Sequence, residues 1–246
     1  MNTIPQDIDF QAWYDSMEAQ VRVRSAADCM DQLIDQVKNP VTTKPVTMPW
    51  SKTLGLFEFR PAEVTVFAGT NGSGKSMLTG MIALSLIAQG QRVVIASFEM
   101  KPLRTLQRMV RQWSRRRDPA LADYEAFRAW IGDKMWFYDQ QGTVSPGQVL
   151  GVGSYAAAKL DCKHYLIDSL MKCSRDEDDY NGQKNFVDQL CTLARDYDTH
   201  IHLVHHIRKQ QNDENAPTKM DLKGSGSVAD QVDNVILMHR NKKKER

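Results

Sequence analysis

Cysteines are few in this chain, and none of them is paired. Cys29, Cys162, Cys173 and Cys191 stand apart with no CxxC spacing, which argues against a zinc knuckle or a disulfide framework and fits a reducing compartment. Long apolar runs are missing as well. No stretch approaches the roughly 20 apolar residues of a membrane span, and the acidic opening MNTIPQDIDFQAWYDSMEAQ lacks the apolar core of a signal peptide. A soluble, cytoplasmic protein with no membrane partner is the expectation. Nor is there an excess of charge: 32 basic against 30 acidic side chains leave a formal +2, so nucleic-acid binding must come from local clusters rather than from the total. A 41% hydrophobic, 25% charged composition over 246 residues excludes disorder for most of the chain and allows one sizeable core plus an appendage.

Apolar positions Trp13, Met17, Val21, Met30, Leu33, Ile34 and Val37 recur at helical spacing, which predicts helix over 10–38. The segment NPVTTKPVTMP at 39–49 interrupts it with prolines and reads as a semi-rigid connector. We therefore expect an N-terminal helical arm and linker over 1–49 and a second domain over 50–246. In that domain short apolar runs (EVTVFAG, QRVVIASF, KMWFYD, HYLIDSL, THIHLVHH, DNVILMH) alternate with helical stretches. Such alternation predicts an α/β fold, with a mostly parallel sheet flanked by helices. Residues 101–131, rich in Arg and Trp, read as two helices split by RRRDP.

The run GTNGSGKS places Gly69, Thr70, Asn71, Gly72, Ser73, Gly74, Lys75 and Ser76 between a buried strand and a helix. Glycines there let successive backbone N–H groups face phosphates, and the helix N-terminus adds its positive dipole end. Lys75 is expected to reach the β- and γ-phosphates of ATP, and the Ser76 hydroxyl to hold Mg2+. Asp168 ends the apolar run YLI, where a carboxylate at a strand's carboxyl edge would face the same cation through water. Glu99 follows the strand RVVIASF. It could activate a water for attack on the γ-phosphate, or simply favour the dipole of the helix that follows, and position alone leaves both open. His205 and His206 end another strand, and either could sense the γ-phosphate; metal binding with His200 and His202 is disfavoured, because no Cys or carboxylate partners them at ligand spacing.

Together GTNGSGKS, SFEM at 97–100, LIDSL at 166–170, LVHHIRK and DLKGSGSVADQVDNVILMHRNK resemble the hexameric replicative helicases of the DnaB and Twinkle type, over roughly residues 50–242. The resemblance implies a RecA-like fold and a ring that unwinds DNA with ATP. It implies that Lys75 and Ser76 serve phosphate and Mg2+, that Glu99 is the catalytic base, Asp168 the Walker B carboxylate and His206 the γ-phosphate sensor. DnaB members carry Gln at the last position, whereas the bacteriophage primase-helicase and Twinkle branch carries His. The family's channel loops match 172–184 and 220–227. Lys223 with Gly224, Ser225 and Gly226 suits a phosphate backbone, one cation and a hydroxyl beside exposed N–H groups, although a flexible surface loop would read the same.

By the same resemblance the arm lies on a neighbouring subunit and helps close a homo-oligomeric ring around single-stranded DNA, moving 5′ to 3′. A helix packed on its own domain is the competing reading. Family members continue into further strands that supply an arginine finger, so a chain ending at Arg246 is expected to lack its last strands or to obtain that cation otherwise. With no primase-like region before residue 50, a separate primase or polymerase is the expected partner. Two other functions fit the same motifs: a RecA/RadA-type recombination ATPase, and a non-catalytic ATP- and DNA-binding accessory.

Overall fold

The computed structural model describes residues 8–16, 25–39, 44–173, 179–208, 216–223 and 227–240. The helical reading of the arm holds at both ends. Helix α1 (Phe10–Asp15) starts where the Asp9 carboxylate accepts from the amides of Gln11 and Ala12, and α2 (Ala26–Lys38) starts where the Ser25 hydroxyl accepts from the amide of Asp28. These caps satisfy amides that have no intrahelical partner. Residues 44–59 then lead in, with a bridge from Thr47 to Glu58, to strand β1 (Val64–Gly69).

From there the alternation expected of the sequence appears in order. Helix α3 (Lys75–Ala88) leads to β2 (Val93–Ser97), then come α4 (Pro102–Ser114), α5 (Leu121–Ile131) and β3 (Met135–Tyr138). Helix α6 (Pro146–Leu160), β4 (His164–Asp168), α7 (Tyr180–Asp196) and β5 (His200–His206) follow, and α8 (Ser227–Gln231) precedes β6 (Asn234–Met238). The strands form one parallel sheet in the order β3-β2-β4-β5-β1-β6. Every residue of β1, β2 and β4 is buried, as continuous apolar strands covered on both faces require.

One apolar layer, on the side of α6, α7 and α8, is centred on Tyr165, Phe186 and Leu190. The other, under α3, α4 and α5, is centred on Phe59, Phe67, Leu86 and Met109. Helix α1 joins the first layer. Phe10 is buried against Tyr138 and Tyr155, and the Trp13 indole donates to Ser154 Oγ at 3.0 Å. Helices α1 and α6 touch so closely that a Cβ at Gly151 would stand 2.0 Å from the Phe10 carbonyl oxygen. The apolar face of α2, by contrast, is open: Met30, Leu33, Ile34 and Val37 are all exposed.

At the amino ends of β4 and β5, away from the GTNGSGKS turn (the P-loop), three histidines share a dry layer with Phe59. His200 Nδ1 donates to the Arg60 carbonyl at 2.6 Å, leaving Nε2 to accept from the Thr65 hydroxyl at 2.8 Å. His164 Nδ1 and His202 Nε2 lie 3.1 Å apart, and the Phe59 ring centroid is 4.7 Å from that of His202. All three rings are buried, which favours their neutral form. Burial pulls His164 down to about 3, His200 to about 4, and His202 well below the ordinary value.

Folded-state values below the unfolded 6.5 mean that the unfolded chain binds more protons as pH falls through about 6.5, so stability declines below that point. A drop from pH 7 to 5 should remove on the order of 1–2 kcal/mol per buried histidine. Urea denaturation across that range is expected to show the midpoint falling steadily; a flat midpoint would contradict a neutral histidine layer.

Candidate nucleotide site

The site is assembled by strand order. Strand β5 lies between β1 and β4, with Gly69 in register with His206, and β2 lies beyond β4, with Ser97 in register with Asp168. The carboxyl ends of these strands therefore deliver the P-loop, His206, Asp168 and Glu99 side by side. Gly72 and Gly74 adopt φ of 75° and 93°, a conformation glycine reaches without a Cβ clash. Gly74 is also the N-cap of α3, so the loop turns directly into a helix N-terminus.

Thr70, Asn71, Gly72, Gly74, Lys75, Ser76, Glu99, Asp168, His206 and Lys223 all line one crevice of about 1170 Å³. Gly69 and Ser73 are not among its lining residues: Gly69 ends β1, where a Cβ would come within 2.7 Å of both the Met238 carbonyl and Ser73 Oγ. Ser73 closes the turn, its amide donating to the Thr70 carbonyl at 3.2 Å. Gly224, Ser225 and Gly226 lie outside the described residues.

Lys75 is buried, and its Nζ donates to the Gly69 and Thr70 carbonyls at 2.8 and 2.9 Å. Burial lowers its pKa, against the pull of Asp168 and Glu99. The Ser76 hydroxyl donates to Asp168 Oδ2 at 2.6 Å. Burial raises the Asp168 pKa, opposed by that hydrogen bond and by the charges of Lys75 and Arg108. Two hard oxygen ligands facing a phosphate cradle suit Mg2+, which binds through one or two protein oxygens plus phosphates and water. Glu99 is exposed and accepts from Ser169 Oγ at 3.3 Å, so its bond is to the end of β4 rather than to the amides that open α4.

The two histidines that end β5 part company. His205 is buried, and its Nε2 donates to the Lys223 carbonyl at 2.6 Å; His206 turns to the crevice. Alternation along a strand requires this divergence. The residue that faces its phosphate cradle is His206.

Side chains that sequence reasoning did not single out also line the crevice: Arg108, Arg111 and Gln112 from α4, with Tyr180 and Arg208 opposite. Arg240, beyond β6, donates to the Gly72 carbonyl at 3.4 Å. A signal for the first group was present, because the spacing of Arg104, Arg108 and Arg111 puts one row on the helix side away from Met109 and Val110. What it lacked was the knowledge that α4 folds back over the P-loop.

A family model described as an AAA domain matches residues 57–212. Among solved structures, the ATPase domain of G40P superposes with a TM-score of 0.67 at 17% identity, over 87% of this chain and 83% of that one. A DnaB-like replicative helicase, studied together with its interactions with primase, superposes with a TM-score of 0.62 at 16% identity. That match covers 87% of this chain, which spans 56% of the helicase's length. At such identities the likeness establishes the fold, a RecA-like α/β domain.

Replacing Asp168 with Asn keeps the shape of the site and removes its negative charge. Nucleotide affinity in the presence of Mg2+ should fall by about 10- to 100-fold, while Mg2+-free affinity changes far less. Titration of a fluorescent ATP analogue with and without Mg2+ checks this.

Proposed function

The chain belongs to the AAA-domain family, and from that premise we propose that it is the ATP-hydrolysing motor of a DnaB/Twinkle-type replicative DNA helicase, working 5′ to 3′ on single-stranded DNA. One observation carries the reading: the crevice that gathers a phosphate cradle, two carboxylates and a histidine is joined by backbone hydrogen bonds to the segment carrying Lys223. The Lys223 amide donates to the His206 carbonyl at 2.9 Å, and the Arg208 amide to the Asp221 carbonyl at 2.8 Å, around a bridge between Ile207 and Leu222. With His205 holding the Lys223 carbonyl, this segment cannot shift without the end of β5.

In this mechanism the P-loop amides and Lys75 hold the triphosphate, and Ser76 with Asp168 hold Mg2+, which would neutralise charge on the phosphate oxygens. Glu99, at the mouth of the crevice, accepts a proton from the attacking water. His206 contacts the γ-phosphate and passes its loss along the β5 extension to Lys223 and, by the sequence reading, to Gly224, Ser225 and Gly226 on the DNA backbone. Arg108, close enough to act on Asp168, supplies a cation from the same chain; the family's arginine finger would add one from a neighbour.

The arm over 1–49 and the motor over 50–246 are part of the same proposal. Helix α1 anchors the arm on its own α6, while the open apolar face of α2 supports docking on a second copy, closing a hexameric ring. Among the described residues no helix is long and apolar enough to cross a membrane, which accords with a cytoplasmic motor assisted by a separate primase or polymerase.

A Glu99→Gln protein should bind ATP normally but hydrolyse it about 10²- to 10⁴-fold more slowly. A Lys223→Ala protein should keep its basal hydrolysis and lose stimulation by single-stranded DNA; unchanged stimulation would refute the coupling.

A further inference from the structure

Helix α4 carries charge of one sign. Arg104, Arg108 and Arg111 follow one another at spacings of four and three, Arg115 continues the row just past the last turn, and no acidic residue occurs in the helix. The helical repeat sets this row opposite the buried Met109 and Val110. Arg117 follows just beyond the helix, and all five side chains are exposed.

Among the described residues none of the five makes an ion pair, whereas other surface cations do: Arg60 with Glu63, Arg92 with Asp133, Lys219 with Asp230. Even the adjacent Arg116 is held by Asp123 at 3.1 Å. A row of like charges three and four residues apart weakens a helix, and cations near its amino end oppose the dipole. A helix face that only needed solvation would mix signs.

We infer that this arginine row is a second nucleic-acid surface, which holds the phosphate backbone of a single strand without reading its sequence. Guanidinium groups match phosphate oxygens in a fixed fork. From Arg104 to Arg115 the helix rises about 16 Å, enough for an extended strand to lie along it. The remaining positions on that face are Gln107 and Gln112, so the row lacks the apolar centre of a protein interface. Arg108 and Arg111 line the same crevice as Arg208 and Lys223, which makes the positive surface continuous from α4 to the proposed channel loop. The row therefore lies beyond the loop contact, on a separate element.

The test uses the full chain with Arg104→Gln, Arg115→Gln and Arg117→Gln combined. None of the three lines the crevice, so basal ATP hydrolysis and circular dichroism should match the parent. A fluorescein-labelled single-stranded oligonucleotide is titrated over a series of salt concentrations. Affinity should fall, and the slope of log affinity against log salt should shrink by about 2, from three lost phosphate contacts at about 0.7 each. Unchanged affinity and slope would overturn the inference. So would loss of self-association at unchanged oligonucleotide binding, which would make the row an interface between copies. Running Lys223→Ala in parallel separates the two readings: weakened binding in the triple variant alone leaves the row standing and removes the loop contact.

Discussion

The molecule depends on one placement, that of β5 between β1 and β4. A parallel sheet delivers strand ends to one edge, and inserting β5 there spaces the P-loop from Asp168 so that Ser76 bridges the gap with a 2.6 Å hydrogen bond. Residues 92 positions apart are thereby held as one oxygen-donor pair. The same insertion makes His206 the neighbour of Gly69. Moving β5 elsewhere would leave each motif intact and no site between them.

Strand β5 is asymmetric along its length. At its amino end His200 and His202 are dry, neutral and fixed by Arg60, Thr65 and His164, which ties the sheet to the lead-in segment through Phe59. At its carboxyl end His205 and His206 diverge, one gripping the Lys223 backbone and the other facing the crevice. Among the described residues His202 Nδ1 has no hydrogen-bond partner, so the amino-end layer is held by packing against Phe59 as well as by these bonds. Alternation and the length of the strand separate the four histidines of HIHLVHH into two environments.

Much of this was legible in the sequence, for specific reasons. The P-loop announces itself because its backbone conformations demand glycine at fixed places, as the positive φ of Gly72 and Gly74 illustrates. Strands could be read because burial on both faces leaves uninterrupted apolar runs. Strand position alone left His205 and His206 open, since the choice depends on which face of β5 meets the crevice; only the family resemblance named His206. Helix α4 presented its arginines plainly, but the charge of Arg108 acting on Asp168 depends on tertiary folding. The docking of α1 rested on Gly147 and Gly151, whose missing side chains become significant only when Gln11 and Phe10 lie against them. The glycines after Lys223 lie outside the described residues, so that part of the proposed DNA contact rests on sequence.

The most direct test of the central claim, that a nucleotide site is coupled to a DNA contact in this chain, is steady-state ATP hydrolysis by the unmodified protein with increasing single-stranded DNA. The account predicts a Mg2+-dependent rate that rises with DNA and saturates. Hydrolysis at the same rate with and without DNA, or none in either condition, would contradict it.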